Sequence, residues 1–276
     1  MFALGRSHGR LIEAEFWVRR LGARLTRFSA DSELSRLNRC AGEWVPISSE
    51  MEAILRAAFR AHEMSAGLVN VAVLPSMLAV GYTRPFTEGP GVATLDALRP
   101  LLALPDVLQL RGGEARVEVG CGVDLGGIAK GWMADRLSEI LGPNVVVNLG
   151  GDLFTRGSGP RGGGWPIGLG GSTLLLRDQG AATSSVRRRR WGEENLLPIY
   201  GEVARNAPEG QGLHHLIDPR TGSPAITGLE EVSVVAASGF EAEVIAKTAL
   251  LLGPDLAPAF CAAHAMAWWL SDAHDA

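Results

Sequence analysis

Cysteine is scarce. Cys40, Cys121 and Cys261 stand far apart among 276 residues and without CxxC spacing, which argues against both a disulfide framework and a zinc site and leaves buried thiols as the reading. Positive charge is not in excess either. A formal net charge of −4 provides no global field for nucleic acid or an anionic membrane, so neither is expected as a partner. No apolar run is long enough to span a bilayer, because Glu243, Lys247 and Asp255 cut the apolar C-terminal stretch. The first twenty residues lack a secretory apolar core, being interrupted by Arg6, Arg10, Glu13, Glu15, Arg19 and Arg20. The chain as given is therefore expected in the cytoplasm. Export or membrane anchoring is expected instead if the true start lies upstream. Repeats and coiled-coil heptads are also missing.

With 46% hydrophobic and 20% charged residues the chain can bury a substantial core. Glycine, at 35 residues, is about twice its usual share and clusters between Gly157 and Gly171, which predicts a loop-rich hairpin region. Apolar residues at helical spacing predict helices over Leu11 to Thr26 and over Ser48 to Ala66, the second opened by serine caps. Val117 to Val119, Val145 to Asn148, Ile167 to Leu169 and Val232 to Ala237 read as strands. Asp218-Pro219-Arg220-Thr221-Gly222 is a turn, and Ser238-Gly239-Phe240-Glu241 has the form of a capping box that starts a last long helix. The expected fold class is α+β, with mixed or antiparallel sheets and packed helices.

Asp124-Leu125-Gly126-Gly127-Ile128-Ala129-Lys130-Gly131 carries the most chemistry. It sets an acid, two bare glycine backbones and a lysine ahead of a helix, a combination suited to a nucleotide pyrophosphate. It is not a Walker loop, because Ala129 and Gly131 stand where that motif needs Gly and Ser or Thr. Taken alone, Asp124 can equally cap the following helix and Lys130 can be a solvated charge. His215 can be a satisfied strand histidine beside His214, and Phe28 a core residue. Arg187 to Arg190 reads as a solvated hairpin, and Thr183-Ser184-Ser185 resembles a nucleophile cluster.

Five blocks in order resemble the ApbE-type flavin transferases. They are Phe28-Ser29-Ala30-Asp31-Ser32-Glu33-Leu34-Ser35-Arg36-Leu37-Asn38, Asp124 to Gly131, Asn148-Leu149-Gly150-Gly151-Asp152, Ala182-Thr183-Ser184-Ser185, and His215-Leu216-Ile217-Asp218-Pro219-Arg220-Thr221-Gly222. A weaker sixth is Ala242-Glu243-Val244-Ile245-Ala246-Lys247. The resemblance runs from about Leu11 to Gly253. It implies one flavin transferase domain over residues 1–276, two-lobed with FAD in the cleft, its usual first strand missing before Leu11 and residues 254–276 an extension. It further implies transfer of FMN from FAD to a Thr or Ser hydroxyl of a target protein, with release of AMP. The alternative is a relative that binds FAD or a related nucleotide without transferring it.

By the same resemblance Phe28, Asn70, Asp124, Lys130, His215 and Leu216 contact the cofactor, His215 assists phosphate transfer, and Thr183-Ser184-Ser185 is a structural turn facing the site. Gly127, through its carbonyl, and Glu243 would hold Mg2+. Three positions depart from the family pattern. Asn70 stands where an Asp is usual, and Glu243 with Lys247 replaces an Asp and a Thr that act as side-chain metal ligands. Spacing of i and i+4 puts Glu243 and Lys247 on one helix face, where a plain ion pair is expected. Either that pair forms and magnesium binds weakly, or the Lys247 ammonium itself takes part of the metal's place.

Overall fold

The computed structural model describes residues 2–3, 8–187, 189–191 and 212–272. A two-residue strand, β1 (Phe2–Ala3), precedes α1 (His8–Leu25), which turns Ala14, Leu21 and Leu25 inward. Ser32 opens α2 (Glu33–Arg39) by accepting a hydrogen bond from the Ser35 amide, satisfying one of the free first-turn N–H groups. After β2 (Val45–Pro46), Ser48 caps α3 (Ser49–Met64) in the same way on the Met51 amide. Met51, Ile54, Leu55, Ala58 and Ala61 form its buried face at helical spacing. Both long helices lie where their apolar periodicity predicts them.

Two short helices, α4 (Leu74–Ala79) and α5 (Leu104–Val107), lead to the hairpin of β3 (Leu108–Arg111) and β4 (Glu114–Val117), which β2 extends to three strands. The strand expected over Val117 to Val119 is mostly a turn. Pairing ends at Leu108 opposite Val117, and the Cys121 amide closes back on the Glu118 carbonyl at 3.0 Å. After α6 (Ala129–Leu141) come β5 (Val145–Leu149), β6 (Asp152–Arg156), the glycine-rich hairpin of β7 (Trp165–Leu169) and β8 (Ser172–Leu176), and β9 (Gln179–Ser185). Two small ladders follow, β10 (Arg190–Trp191) with β11 (Leu213–His214) and β12 (Ile217–Asp218) with β13 (Ser223–Pro224). The Asp218 turn closes the second, with Gly222 at φ +74 donating its amide to the Asp218 carbonyl at 2.8 Å. The chain then runs through β14 (Leu229–Ala236), α7 (Gly239–Leu252), α8 (Ala257–His264) and β15 (Ala267–Asp272).

The central sheet has the order β1-β5-β6-β9-β14-β15, and each of its pairs is antiparallel. The fold is α+β, with antiparallel sheets rather than mixed ones among the described residues. The segment after Gly253, expected as an extension, supplies α8 and the edge strand of this sheet. Helix α7 is apolar nearly all round and is buried accordingly. Its Ile245, Ala249 and Leu250 pack with Ala182, Val232 and Val234 of the sheet, while Phe240 and Val244 join Leu34, Leu37, Ile54 and Leu108 in the core beneath α2 and α3.

Helices α6 and α7 cross through glycine. A Cβ on Gly131 would overlap the Gly239 carbonyl, so only glycine lets the backbones meet. Asp135 locks the crossing by accepting from the Gly239 and Phe240 amides at 2.7 and 2.9 Å. Burial pushes its carboxyl up to about 6 in spite of those bonds. Ser238 adds the expected cap, accepting from the Glu241 amide at 3.1 Å. Asp135→Ala strands two amides at a buried helix start and should cost about 1–3 kcal/mol or more, measured by urea denaturation. A change below about 0.5 kcal/mol, as at an ordinary surface position, would show that the crossing does not depend on Asp135.

Candidate active site

The Asp124 loop is held in place before it meets any ligand. The Asn38 side chain, at the end of the first family-like block, donates to the Val123 carbonyl at 2.9 Å and accepts from the Val123 amide at 2.8 Å. The Asp124 amide then donates to the Val71 carbonyl at 2.8 Å. Its carboxylate does not cap α6, whose N-cap is Ile128. One oxygen instead accepts from the Gly126 amide at 2.7 Å, and the other meets the Arg27 Nε at 2.5 Å. Arg27 lies over the rings of Phe28 and Tyr82, at 4.3 and 4.7 Å from their centroids, and its Nη2 is buried without a partner among the described residues. Phe28 is 39% exposed, so it is a surface platform and not a core residue.

Lys130 projects from the first turn of α6 onto two buried carboxylates. It bonds Asp152 and lies 3.1 Å from a Glu243 oxygen. Asp152 arrives there because Gly150 and Gly151, both at positive φ, turn β5 back into β6. The other Glu243 oxygen accepts from the Gly131 amide at 2.9 Å. Glu243 is thus committed across the helix crossing, and the i,i+4 pair expected with Lys247 does not form. Lys247 donates to the Gly127 carbonyl instead. Burial pushes its ammonium down to about 8, against the pull of Glu243 and Asp124.

The adjacent histidines differ. His214 is fully engaged: one ring nitrogen accepts from the Leu216 amide at 3.2 Å and the other bonds the Ala225 carbonyl at 3.0 Å. His215 has no hydrogen-bond partner among the described residues, and its Nδ1 is sealed from solvent. Burial, reinforced by the charges of Arg189, Lys247 and Lys130, holds its pKa well below 6.5, so the imidazole is neutral near pH 7. Leu216 is not brought to this cluster. Its side chain belongs to the core with Ala182 and Ala225, and its backbone groups are bonded to His214 and Ala225. Asn70 fastens two loops, donating to the Leu102 carbonyl and accepting from the Ala72 amide, both at 2.9 Å. An aspartate cannot make the first of these bonds, which accounts for Asn here.

Thr183-Ser184-Ser185 lies in β9 and not in a turn, with Thr183 bonded to Ser233 across the ladder at 2.8 Å. The arginine run is less solvated than expected. Arg187 pairs with Glu230, Arg189 acts on His215 and Lys247, Arg190 pairs in β10, and Arg188 lies outside the described residues. A groove of about 210 Å³ lined by Trp17, Ser49, Glu50, Trp132, Arg136 and Glu139 shares none of the candidate residues.

Two ligands can be tested against this arrangement. A nucleotide diphosphate fits it. Basic groups converge there, and Arg27 Nη2 and His215 Nδ1 are buried polar atoms still without partners. A divalent cation does not fit while Lys247 stays in place. The Gly127 carbonyl faces an ammonium, and the oxygens of Glu243 and Asp124 are taken by N–H donors. Among the described residues no group of three or more His, Cys, Asp or Glu is placed to hold a metal, and no helix is long and apolar enough to cross a membrane.

The model of the ApbE family matches residues 5–269. The chain belongs to the ApbE family. It is 28% identical over 257 residues to the FAD:protein FMN transferase of Treponema pallidum, covering 81% of this chain and 66% of that protein. It is 25% identical over 259 residues to the enzyme of that name from Haemophilus influenzae, covering 89% and 73%. Among solved structures, the ApbE protein of Thermotoga maritima superposes with a TM-score of 0.79 at 22% identity, covering all of this chain and 94% of that one. The flavin transferase ApbE of Vibrio cholerae gives 0.74 at 21%, covering 97% and 89%.

Reasoning from the ApbE-like blocks missed Arg27 and Asp135 and left Asp152 without a role. Arg27 directly precedes the Phe28 block and Asp152 closes the Gly150 block, so their positions were visible but their partners were not. The engaged state of His214 has a measurable consequence. Burial holds it at about 4 against an ordinary 6.5, so the unfolded chain takes up the proton first. The stability contributed by neutral His214 is complete above pH 6.5 and is lost as pH falls towards 4, by about 3 kcal/mol at roughly 1.4 kcal/mol per unit. The stability gap between the wild type and His214→Asn should therefore narrow by about that amount between about pH 7 and about pH 4 in urea titrations. A constant gap would mean that His214 titrates as in the unfolded chain.

Proposed function

We propose that this ApbE-family protein is a single flavin transferase unit that moves FMN from FAD onto a Thr or Ser hydroxyl of a target protein. The observation that carries the reading is the unpartnered, neutral His215 beside Lys130 and Lys247. Its support comes also from the relatives of 28% and 25% identity, both called FAD:protein FMN transferases. In this reading FAD lies in a cleft between the helical lobe and the central-sheet lobe. Gly126, Gly127 and Lys130 face its diphosphate, and Phe28 with Tyr82 offers aromatic faces to a flat ring. The hydroxyl oxygen of the target attacks the FMN phosphorus, the bond to the AMP oxygen breaks, and AMP leaves with that electron pair. His215 takes the hydroxyl proton, a role open to an imidazole that is unprotonated near neutral pH.

Magnesium, implied by the family resemblance, finds no free donor set among the described residues. An imidazole free of structural bonds favours transfer over binding alone. His215→Asn should lower covalent flavin incorporation into a coexpressed target, read by in-gel fluorescence, by about 10²–10⁴-fold. FAD affinity by calorimetry should stay within a few-fold. Equal, small losses in both readouts would remove His215 from the chemistry.

Asp124→Asn keeps an oxygen for the Gly126 amide but drops the charge that orients Arg27, and should weaken FAD binding by about 1–3 kcal/mol. Unchanged affinity would detach FAD from this loop. Lys130→Ala is a poor probe of the same point. It would leave Asp152 and Glu243, 3% and 4% exposed, as unpaired buried carboxylates, a change expected to destabilise the fold by about 3–5 kcal/mol.

A further inference from the structure

Among the described residues Lys247 is a cation without a carboxylate partner. Its ammonium has three N–H groups to donate, and among the described residues its one acceptor is the Gly127 carbonyl. No carboxylate among those residues lies within ion-pair distance of it, because Glu243, one helical turn away, is turned to Lys130 and the Gly131 amide. Lys130 differs, since Asp152 and Glu243 already neutralise it. A half-buried ammonium held against a single glycine carbonyl is left short of partners, and an anion would supply them. A second observation points to the same anion. The His215 Nδ1 is buried and unpartnered among the described residues within the electrostatic reach of Lys247, and so is Nη2 of the Arg27 guanidinium that bonds Asp124.

We propose that Lys247 is a resident phosphate-binding cation, which neutralises the dinucleotide's diphosphate from the position where the Gly127 carbonyl would otherwise face a divalent ion. The inference rests on the FAD reading above and deepens it. Diphosphate binding at this site is then independent of added metal. The crossing of α6 and α7 supplies the geometry: Gly127 ends the loop before α6, and a Cβ there would collide with the ammonium, so glycine at 127 and lysine at 247 are matched. A merely structural Lys247, tying α7 to the loop, would leave affinity for diphosphates unaffected by its charge.

The test titrates FAD into the full chain by calorimetry, once with excess chelator and once with excess magnesium. The expected dissociation constants for the wild type agree within about twofold, and inorganic pyrophosphate competes equally well in both buffers. Lys247→Met, shown to be folded by its circular dichroism melt, should bind FAD at least about tenfold more weakly in chelator, about 1.4 kcal/mol. Lys247→Arg, which keeps the charge, should recover part of that loss. A wild type that loses about tenfold or more in chelator overturns the inference while leaving the FAD reading intact. So does a folded Lys247→Met that binds as the wild type does. If Lys247→Met does not fold, the wild-type comparison still decides. Failure of the wild type to bind FAD in either buffer overturns both the inference and the reading beneath it.

Discussion

Two carboxylates clamp the crossing of α6 and α7, and the candidate site depends on that clamp. Asp135 reaches from α6 to the first amides of α7, and Glu243 reaches back from α7 to the Gly131 amide of α6. The helices approach this closely only because Gly131 and Gly239 carry no side chains at the contact. Each acid satisfies a backbone donor that the helix itself leaves free in its first turn. Structural and functional demands therefore fall on the same short stretch. Lys130 is positioned by being the residue before Gly131, and Lys247 by following Glu243 after one turn. Shifting α7 by half a turn would separate Lys247 from the Gly127 carbonyl and Glu243 from Lys130.

The electrostatics of the site are organised in pairs rather than as a pool of positive charge. Lys130 is balanced by Asp152 and Glu243, and Arg27 by Asp124. Such pairing explains how a chain of net charge −4 can gather several basic groups in one place without an overall basic field. It also orients each group in advance, which lowers the reorganisation needed when a charged ligand arrives. Lys247 and His215 are the exceptions among the described residues: the first has only the Gly127 carbonyl, and the second is kept neutral by its surroundings and makes no hydrogen bond, while its neighbour His214 carries the hydrogen bonds of the turn.

Local features were legible in the sequence where the cause is local. The caps at Ser48 and Ser238, the turn at Asp218 and the apolar faces of α1 and α3 each follow from a few neighbouring residues. The Asp124 block declares a loop and helix start in the same way. Partners distant in sequence were not legible. Nothing in the spacing of Glu243 and Lys247 shows that one turns to Lys130 and the other to Gly127, because an i,i+4 pair is worth only a few tenths of a kcal/mol and yields to buried groups in need of partners. The strand misplaced over Val117 to Val119 has the same origin. Its valines have strand propensity, but the turn at Gly120 and the pairing with β3 decide where it ends.

Strand β15 covers the outer edge of β14, pairing along Val232 to Val235 with Leu270 to Ala267. Beneath it β14 has the sequence LEEVSVVA and its Val232, Val234, Val235 and Ala236 are buried. Without that cover, β14 would present a line of open N–H and C=O groups on an apolar strand, a template for another chain to add to. Strand β15 thus moves the open edge of the sheet from an apolar strand to one that ends in Ser271 and Asp272. A polypeptide cut before Ala267 would retain the Asp124 loop and both histidines in sequence, yet it would be prone to aggregate.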